Sequence, residues 1–318
     1  MSEEKISVII PVRNEENKIE SCLKSLSLQT LQPHEIIVVE GHSTDNTVEK
    51  AKKFPIKIFY ETYGTIGGAR QVGLENAQGD FIAFTDADCM PEKNWLETEF
   101  HVLKKNKNAA GVGCSIENVS KGTWEETINE LSKTFIGSGR SIQGRRFKKE
   151  KKVLSISGCN SLYRKQSLYD VGGFNVKLNI CEDTEINRRL RKQGYDLIYT
   201  PKTKVLHDHT RGIKLFAKRM FQYGQGRAQS KLFDIQVLLP ASIPILVLLG
   251  VLLPLHLLIL IGLYLLILFS FSIFISAKNK KPQFLLTIPS IALLQHIAYG
   301  LGFWKGVFKM GGIKLGFV

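Results

Sequence analysis

Gly79-Asp-Phe-Ile-Ala-Phe-Thr-Asp-Ala-Asp88 decides how this chain is read. A short apolar run, Phe81 to Thr85, follows a Gly-Asp turn signal and ends in two carboxylates one residue apart. A run of that length bounded by turn residues reads as a buried strand. In open α/β sheets ligands bind beyond the carboxyl ends of the strands. Asp86 and Asp88 stand at such an end, and two carboxylates at alternate positions can share one divalent cation. Oxygen ligands select Mg²⁺ or Mn²⁺. In an isolated loop the same triplet would be a solvated turn; its place after the strand makes it a candidate site.

Upstream, strand and helix signals alternate. Ile6–Ile10, Glu35–Val39 and Ile56–Tyr60 read as strands. Glu15–Leu28, with apolar residues at Ile19, Cys22, Leu23 and Leu26, reads as an amphipathic helix. Asp45–Lys53 and Gly68–Ala77 read as further helices. Such alternation predicts a parallel α/β sheet. A second polar cluster, Glu40–Asp45, also lies at a strand end. Downstream, Val153–Ser157 resumes as a strand and Glu182–Gln193 as a helix stopped by Gly194. Arg140–Lys152 holds seven basic residues and reads either as a solvated loop or as a lid facing lipid.

The charge distribution divides the chain. After Asp234 there is no Asp or Glu, and six lysines supply all the charge. The net charge is +14. A basic protein with an oily tail suits lipid and phosphate better than nucleic acid. Residues 212–233 pattern as a basic amphipathic helix suited to a membrane interface, with packing on the catalytic domain as the alternative. Three apolar stretches follow, Ile235–Leu253, Leu255–Ile275 and Phe284–Trp304, each near the ~20 residues a spanning helix needs. Lys278-Asn-Lys-Lys281 marks the cytoplasmic side. Five scattered cysteines without a CxxC pair argue against a disulfide framework and suit a reducing compartment. These features predict a cytoplasmic catalytic domain at 1–211, an interfacial helix at 212–233, and a membrane region at 234–318 with two or three helices, the chain being a multi-pass cell-membrane protein.

Pro11-Val-Arg-Asn-Glu15, Val39-Glu-Gly-His-Ser-Thr-Asp-Asn-Thr47, Gly68-Ala-Arg70, Asp86-Ala-Asp88, Gly158-Cys-Asn160 and Cys181-Glu-Asp183, in this order, resemble the motifs of the inverting GT-A-fold glycosyltransferases. That family includes cellulose, hyaluronan and chitin synthases and dolichyl-phosphate mannose synthases. The tail, with His296-Ile-Ala-Tyr-Gly-Leu-Gly302, further resembles membrane-anchored exopolysaccharide and succinoglycan-type transferases. The resemblance implies a Rossmann-like mixed sheet, a nucleotide-diphosphate sugar donor and Mn²⁺ or Mg²⁺. Pro11, Arg13 and Glu15 would frame the nucleoside, Glu40 would accept from the base, and Asp45 would belong to the same donor-binding set. Arg70 would face the diphosphate. Asp86 would contact ribose or metal, Asp88 would bind the metal, and His207 would add a ligand. Asp183 is the expected base, since an inverting transfer needs one carboxylate to take the acceptor's hydroxyl proton. Gly158, Asn160, Glu182, Arg219, Tyr223 and Arg227 are expected on the acceptor side.

Other classes fit less well. A dehydrogenase would carry a GxGxxG turn after its first strand, where Pro11-Val-Arg-Asn-Glu15 stands instead. A nucleic-acid-binding protein would leave the tail unexplained, and a transporter would need more hydrophobic segments. The Gln-x-x-Arg-Trp pattern of processive synthases is absent. The expected acceptor is a lipid-linked saccharide at the bilayer surface, with polyprenyl phosphate itself as the alternative, and membrane lipids are expected partners.

Overall fold

The computed structural model describes residues 4–138, 146–208, 212–231 and 253–309, with parts of 238–250. The described strands are β1 (Ile6–Val12), β2 (Glu35–Glu40), β3 (Lys57–Tyr60), β4 (Phe81–Thr85), β5 (Cys89–Pro91), β6 (Ala109–Asn118), β7 (Lys151–Lys152), β8 (Asn160–Arg164) and β9 (Asp196–His207). They form one sheet in the order β3-β2-β1-β4-β8-β6-β9-β5, with β7 pairing β9. β1 to β4 are mutually parallel where they pair. β8 runs antiparallel to β4 and β6, and β5 antiparallel to β9, so the sheet is mixed.

β1, β2 and β4 run through the core and are buried on both faces, every residue of β2 and β4 being buried. The connecting helices are α1 (Ile19–Ser27), α2 (Thr47–Ala51), α3 (Ile66–Asn76) and α4 (Trp95–Lys105). α1 buries Ile19, Cys22, Leu23 and Leu26, the stripe its sequence period prescribes. α7 (Lys165–Asp170) and α8 (Glu182–Lys192) complete this part. Two cores result, one centred on Val8, Ile10, Leu23 and Trp95 and one on Ile9, Ile37, Phe84 and Tyr163.

Val153–Ser157, read from the sequence as a strand, is not one. Val153 N–H donates once to the Leu197 carbonyl, and Asn160 N–H turns back to Ser157, so the ladder resumes only at β8. α1 also begins later than read, at Ile19, because Glu15 to Lys18 form a turn whose amides serve the neighbouring loop.

Two compact units are present. The first is 1–119 with 141–209, and the second 120–140 with 210–318. The sequence reading kept 120–140 within the catalytic part. The second unit holds α5 (Thr123–Ser132), α6 (Phe135–Ser138), α9 (Ile213–Gln229), α10 (Pro254–Asn279) and α11 (Phe284–Lys309). Ile128, Leu131 and Ile136 pack with Leu268, Ile288 and Ile291, which is why this insertion belongs with the tail. The Lys281 ammonium pairs with Glu126 at 2.6 Å and Thr127 with Thr287 at 2.8 Å.

α10 and α11 are each 26 residues long and apolar enough to cross a membrane. At 1.5 Å per residue each spans about 39 Å, more than the ~30 Å hydrocarbon core. The earlier apolar stretch, 235–253, lies largely outside the described residues. α9 buries Gly224, Gly226 and Ala228, while its Ile213 and Phe216 lie half-buried against the cluster that α10 and α11 share. A Cβ at Gly302 would overlap the Phe221 carbonyl, and one at Gly224 the Tyr299 carbonyl. This close backbone approach, together with the apolar contacts of Ile213 and Phe216, holds the helix pair together.

Candidate active site

The parallel strands deliver their loops to one edge of the sheet. After β1 and β2, two loops lock together through side-chain-to-backbone bonds. Asn14 N–H donates to Ser43 Oγ at 2.9 Å, and Thr44 N–H donates to Asn14 Oδ1 at 2.8 Å. Asp45 accepts from the amides of Glu16 and Thr47 and from the Thr47 hydroxyl. The Thr47 hydroxyl is the chief reason the Asp45 carboxyl sits below its ordinary range. Asn14 (φ 55°) and His42 (φ 61°) hold left-handed backbone here. Such conformations persist only where their surroundings enforce them. Pro11 is half-buried in β1, Arg13 is exposed, and Glu15 lies near Lys18 at 3.6 Å.

Glu40 behaves differently from its expected contact with a nucleotide base. Its carboxylate is 2% exposed and accepts from Ser43 N–H at 2.6 Å and His42 N–H at 2.9 Å. In this structure it shapes the turn after β2. Glu61, one strand over, does the same for the amides of Tyr63 and Gly64. The sequence reading missed Glu61, although an acid directly after a strand was the signal already used for Glu40.

Arg70 organises the centre. It lies on α3, 3% exposed, with its guanidinium 5.5 Å from the Phe84 ring centroid. Nη1 donates to the Gly158 carbonyl at 2.7 Å and Nη2 to Asp86 Oδ1 at 3.1 Å. Nε lies 3.2 Å from Glu182 Oε1, an ion pair by distance but poorly aligned as a hydrogen bond. Position 158 requires glycine because a Cβ there would overlap the guanidinium. Burial pushes the Glu182 carboxyl up to about 7 against the pull of Arg70, with Asp183 adding to the rise.

Asp183 sits in the first turn of α8, after Cys181 in left-handed conformation (φ 65°). Its Oδ2 accepts from Gly158 N–H at 3.1 Å and its Oδ1 from Thr184 N–H at 2.6 Å. Asp86, Arg70, Gly158 and Asp183 therefore form one continuous hydrogen-bonded chain. Asp183 is half-buried, whereas its neighbour Glu182 is buried against Arg70 and does not stand on an acceptor face. Asn160 also departs from the acceptor-side expectation. It is 1% exposed, and its amide bridges both the N–H and the carbonyl of Cys114 on β6, joining two strands.

Asp88 is buried beside His207, with Oδ1 3.3 Å from Nε2. The β5/β9 pairing sets Cys89 opposite His207, which is how a residue more than a hundred positions away reaches the Asp-x-Asp turn. Burial alone would lower the His207 imidazole; the Asp88 carboxylate outweighs it and the net shift is upward. Neighbouring ligands on an octahedral ion with ~2.1 Å bonds stand about 3 Å apart. The Asp88–His207 spacing fits that, and carboxylate with imidazole suits Mn²⁺. Arg219, Tyr223 and Arg227 lie on α9 in the other unit, where the Arg219 guanidinium stacks 5.7 Å from the Tyr223 ring.

Comparison with known proteins agrees with this architecture. A protein from Methanococcus voltae, named dolichyl N-acetyl-alpha-D-glucosaminyl phosphate 3-beta-D-2,3-diacetamido-2,3-dideoxy-beta-D-glucuronosyltransferase, is 28% identical over 96% of this chain and 97% of its own length. Glycosyltransferase AglE of Haloferax volcanii is 29% identical over 72% of this chain and 75% of its own. Among solved structures, the mannosyltransferase PcManGT from Pyrobaculum calidifontis, in complex with GDP-Man and Mn²⁺, shares the fold at a TM-score of 0.59. That match covers 94% of this chain and 88% of the other at 17% identity. The family model described as glycosyl transferase family 2 matches residues 7–172, more than half the sequence. With its mixed GT-A sheet and its Asp-x-Asp turn, the chain belongs to glycosyl transferase family 2.

Proposed function

We propose that the chain is a membrane-bound, metal-dependent, inverting glycosyltransferase that moves one sugar from a nucleotide-diphosphate donor to a lipid-linked saccharide. The observation that carries this reading is the continuous chain from Asp86 through Arg70 and Gly158 to Asp183. It ties the turn suited to a diphosphate-bound ion to the one well-oriented carboxylate suited to proton abstraction.

Asp88 and His207, with Asp86, would hold Mn²⁺ or Mg²⁺. The ion supplies positive charge to the departing diphosphate. Pro11, Arg13, Glu15 and Asp45 would frame the nucleoside, with Glu40 and Glu61 holding the loops that form its walls. Asp183 takes the proton of the acceptor hydroxyl as that oxygen bonds to the anomeric carbon. The bond from that carbon to the diphosphate oxygen breaks, and configuration inverts from α to β. Gly158 N–H and Thr184 N–H hold the Asp183 carboxylate in place.

The acceptor follows from two supports. α10 and α11 are fit to anchor the chain in a bilayer, and the Methanococcus voltae relative is named for a sugar carried on dolichyl phosphate. Lys278–Lys281 would face the cytoplasm, with the catalytic unit on that side. The deciding experiment is Asp183→Asn in the purified full chain. It keeps size, and one oxygen to accept from a backbone N–H, but cannot accept the proton. Donor binding should persist while transfer falls by 10²-fold or more, on the ~10²–10⁴ scale of general-base catalysis. Transfer at the wild-type rate would remove Asp183 from the role.

A further inference from the structure

Three potential metal ligands stand together beside Asp88, and two of them, both cysteines, play no part in the reading above. Cys89 Sγ, Cys159 Sγ and a His207 ring nitrogen lie within 4.8 Å of one another. They come from three separate places: the start of β5, the turn before β8, and the end of β9. Two pairings converge them. Cys89 faces His207 across β5/β9, and Cys159 is fixed where Thr85 Oγ donates to its carbonyl at 3.1 Å. Both cysteines are free and buried, and His207 is the more exposed member of the group.

Asp88 stands beside two of the three. Its Oδ1 lies 3.3 Å from His207 Nε2 and 3.8 Å from Cys89 Sγ. A tetrahedral zinc with ~2.0–2.1 Å bonds to N and O and ~2.3 Å to S places neighbouring ligands about 3.3 Å (N to O) and about 3.6 Å (S to O) apart. The Asp88–His207 and Asp88–Cys89 distances lie within a few tenths of an ångström of those values. We propose that Cys89, Cys159 and His207 form a three-ligand site for a thiophilic divalent cation of the zinc class, with a further coordination position beside Asp88, and that its occupation excludes the catalytic ion.

The chemistry separates the two ions. Asp86, Asp88 and His207 offer mainly oxygen, which suits Mn²⁺ or Mg²⁺, whereas two thiolates select zinc. Binding releases the two thiol protons to solvent and leaves a Cys₂His set of protein ligands. Because His207 belongs to both sets and Asp88 lies 3.3 Å from it, one ion displaces the other. The binding claim stands on the cluster alone; the claim of exclusion rests on the metal reading of Asp88 and His207 given above.

The test uses the detergent-purified full chain. Co²⁺ titration should show, at one equivalent, thiolate-to-metal charge-transfer absorption with the visible bands of a four-coordinate ion, and Zn²⁺ should bleach them. Cys89→Ser and Cys159→Ser should each weaken the charge-transfer band, and the double variant should abolish it. Alkylation of the wild type offers a check independent of variant folding: Zn²⁺ should protect Cys89 and Cys159 but not Cys22. Absence of thiolate absorption, or no protection of the two thiols, overturns the site. In transfer assays Zn²⁺ should inhibit competitively with Mn²⁺, and Cys159→Ser should need at least tenfold more Zn²⁺. Thiolate binding without competition overturns the exclusion and leaves the site. A chain that transfers no sugar but shows the cobalt bands overturns the proposed function instead.

Discussion

Arg70→Met tests the organising role of the buried guanidinium. Methionine keeps much of the volume and the contact with Phe84 but removes the charge. It leaves Glu182, 6% exposed, without its partner. Removing one member of a buried pair typically costs about 3–5 kcal/mol. The lower end applies here, because Glu182 can take up a proton instead of remaining a buried anion. A loss of about 3 kcal/mol in a unit of this size lowers Tm by roughly 6–12 °C. The pH dependence has a definite sign. The folded-state value for Glu182 is raised from 4.5 to about 7, so the folded protein binds the extra proton more readily than the unfolded chain. Stability from this group is therefore present at low pH and lost as pH rises from 4.5 through 7. Without Arg70 the folded value climbs further, so the variant should fall furthest behind wild type at pH 8 and least at pH 6. Thermal unfolding of detergent-purified protein at both values measures this. Arg70→Met/Glu182→Gln should recover part of the loss. A wild-type Tm in Arg70→Met at pH 8, or a larger deficit at pH 6, would refute the argument.

Two further perturbations probe the proposed ion and the packing of α9 on α11. Asp88→Ala should reduce transfer by ~10²-fold or more, on the scale of losing one electrostatic stabiliser. Excess chelator should abolish wild-type transfer and added Mn²⁺ restore it; full activity in chelator would remove the ion from the mechanism. Gly302→Leu should lower the melting temperature, since its Cβ meets the Phe221 backbone carbonyl rather than a movable side chain, and overpacking typically costs about 1–3 kcal/mol. Gly262→Leu on α10, where a Cβ meets nothing within 4 Å, is the control and should leave it unchanged.

The strands that run through the core were legible because burial on both faces leaves an uninterrupted apolar run. Phe81 to Thr85 was read with its observed bounds. Val153–Ser157 misled for the same reason: it is apolar because Ile156 fills the second core, not because it pairs in a ladder. The insertion at 120–140 was illegible, since its apolar face is answered by residues of α10 and α11 far along the chain. Within the site, residue types and order were readable, but partners were not. Glu182 and Asp183 are adjacent acids in sequence, and only the fold turns one toward Arg70 and the other toward Gly158 N–H. The Cys89–Cys159–His207 cluster carries no sequence spacing at all, because three strand ends assemble it.

The central claim, transfer of one sugar to a lipid-linked saccharide, is tested most directly by comparing acceptors. Purified protein with Mn²⁺ and a panel of nucleotide sugars first identifies the donor by release of nucleoside diphosphate. That donor is then offered three acceptors: bare polyprenyl phosphate, a polyprenyl-linked saccharide, and the same saccharide without lipid. The account predicts a single β-linked addition to the lipid-linked saccharide, at a kcat/KM at least tenfold above the other two. Preference for bare polyprenyl phosphate, or equal use of the lipid-free saccharide, would contradict it.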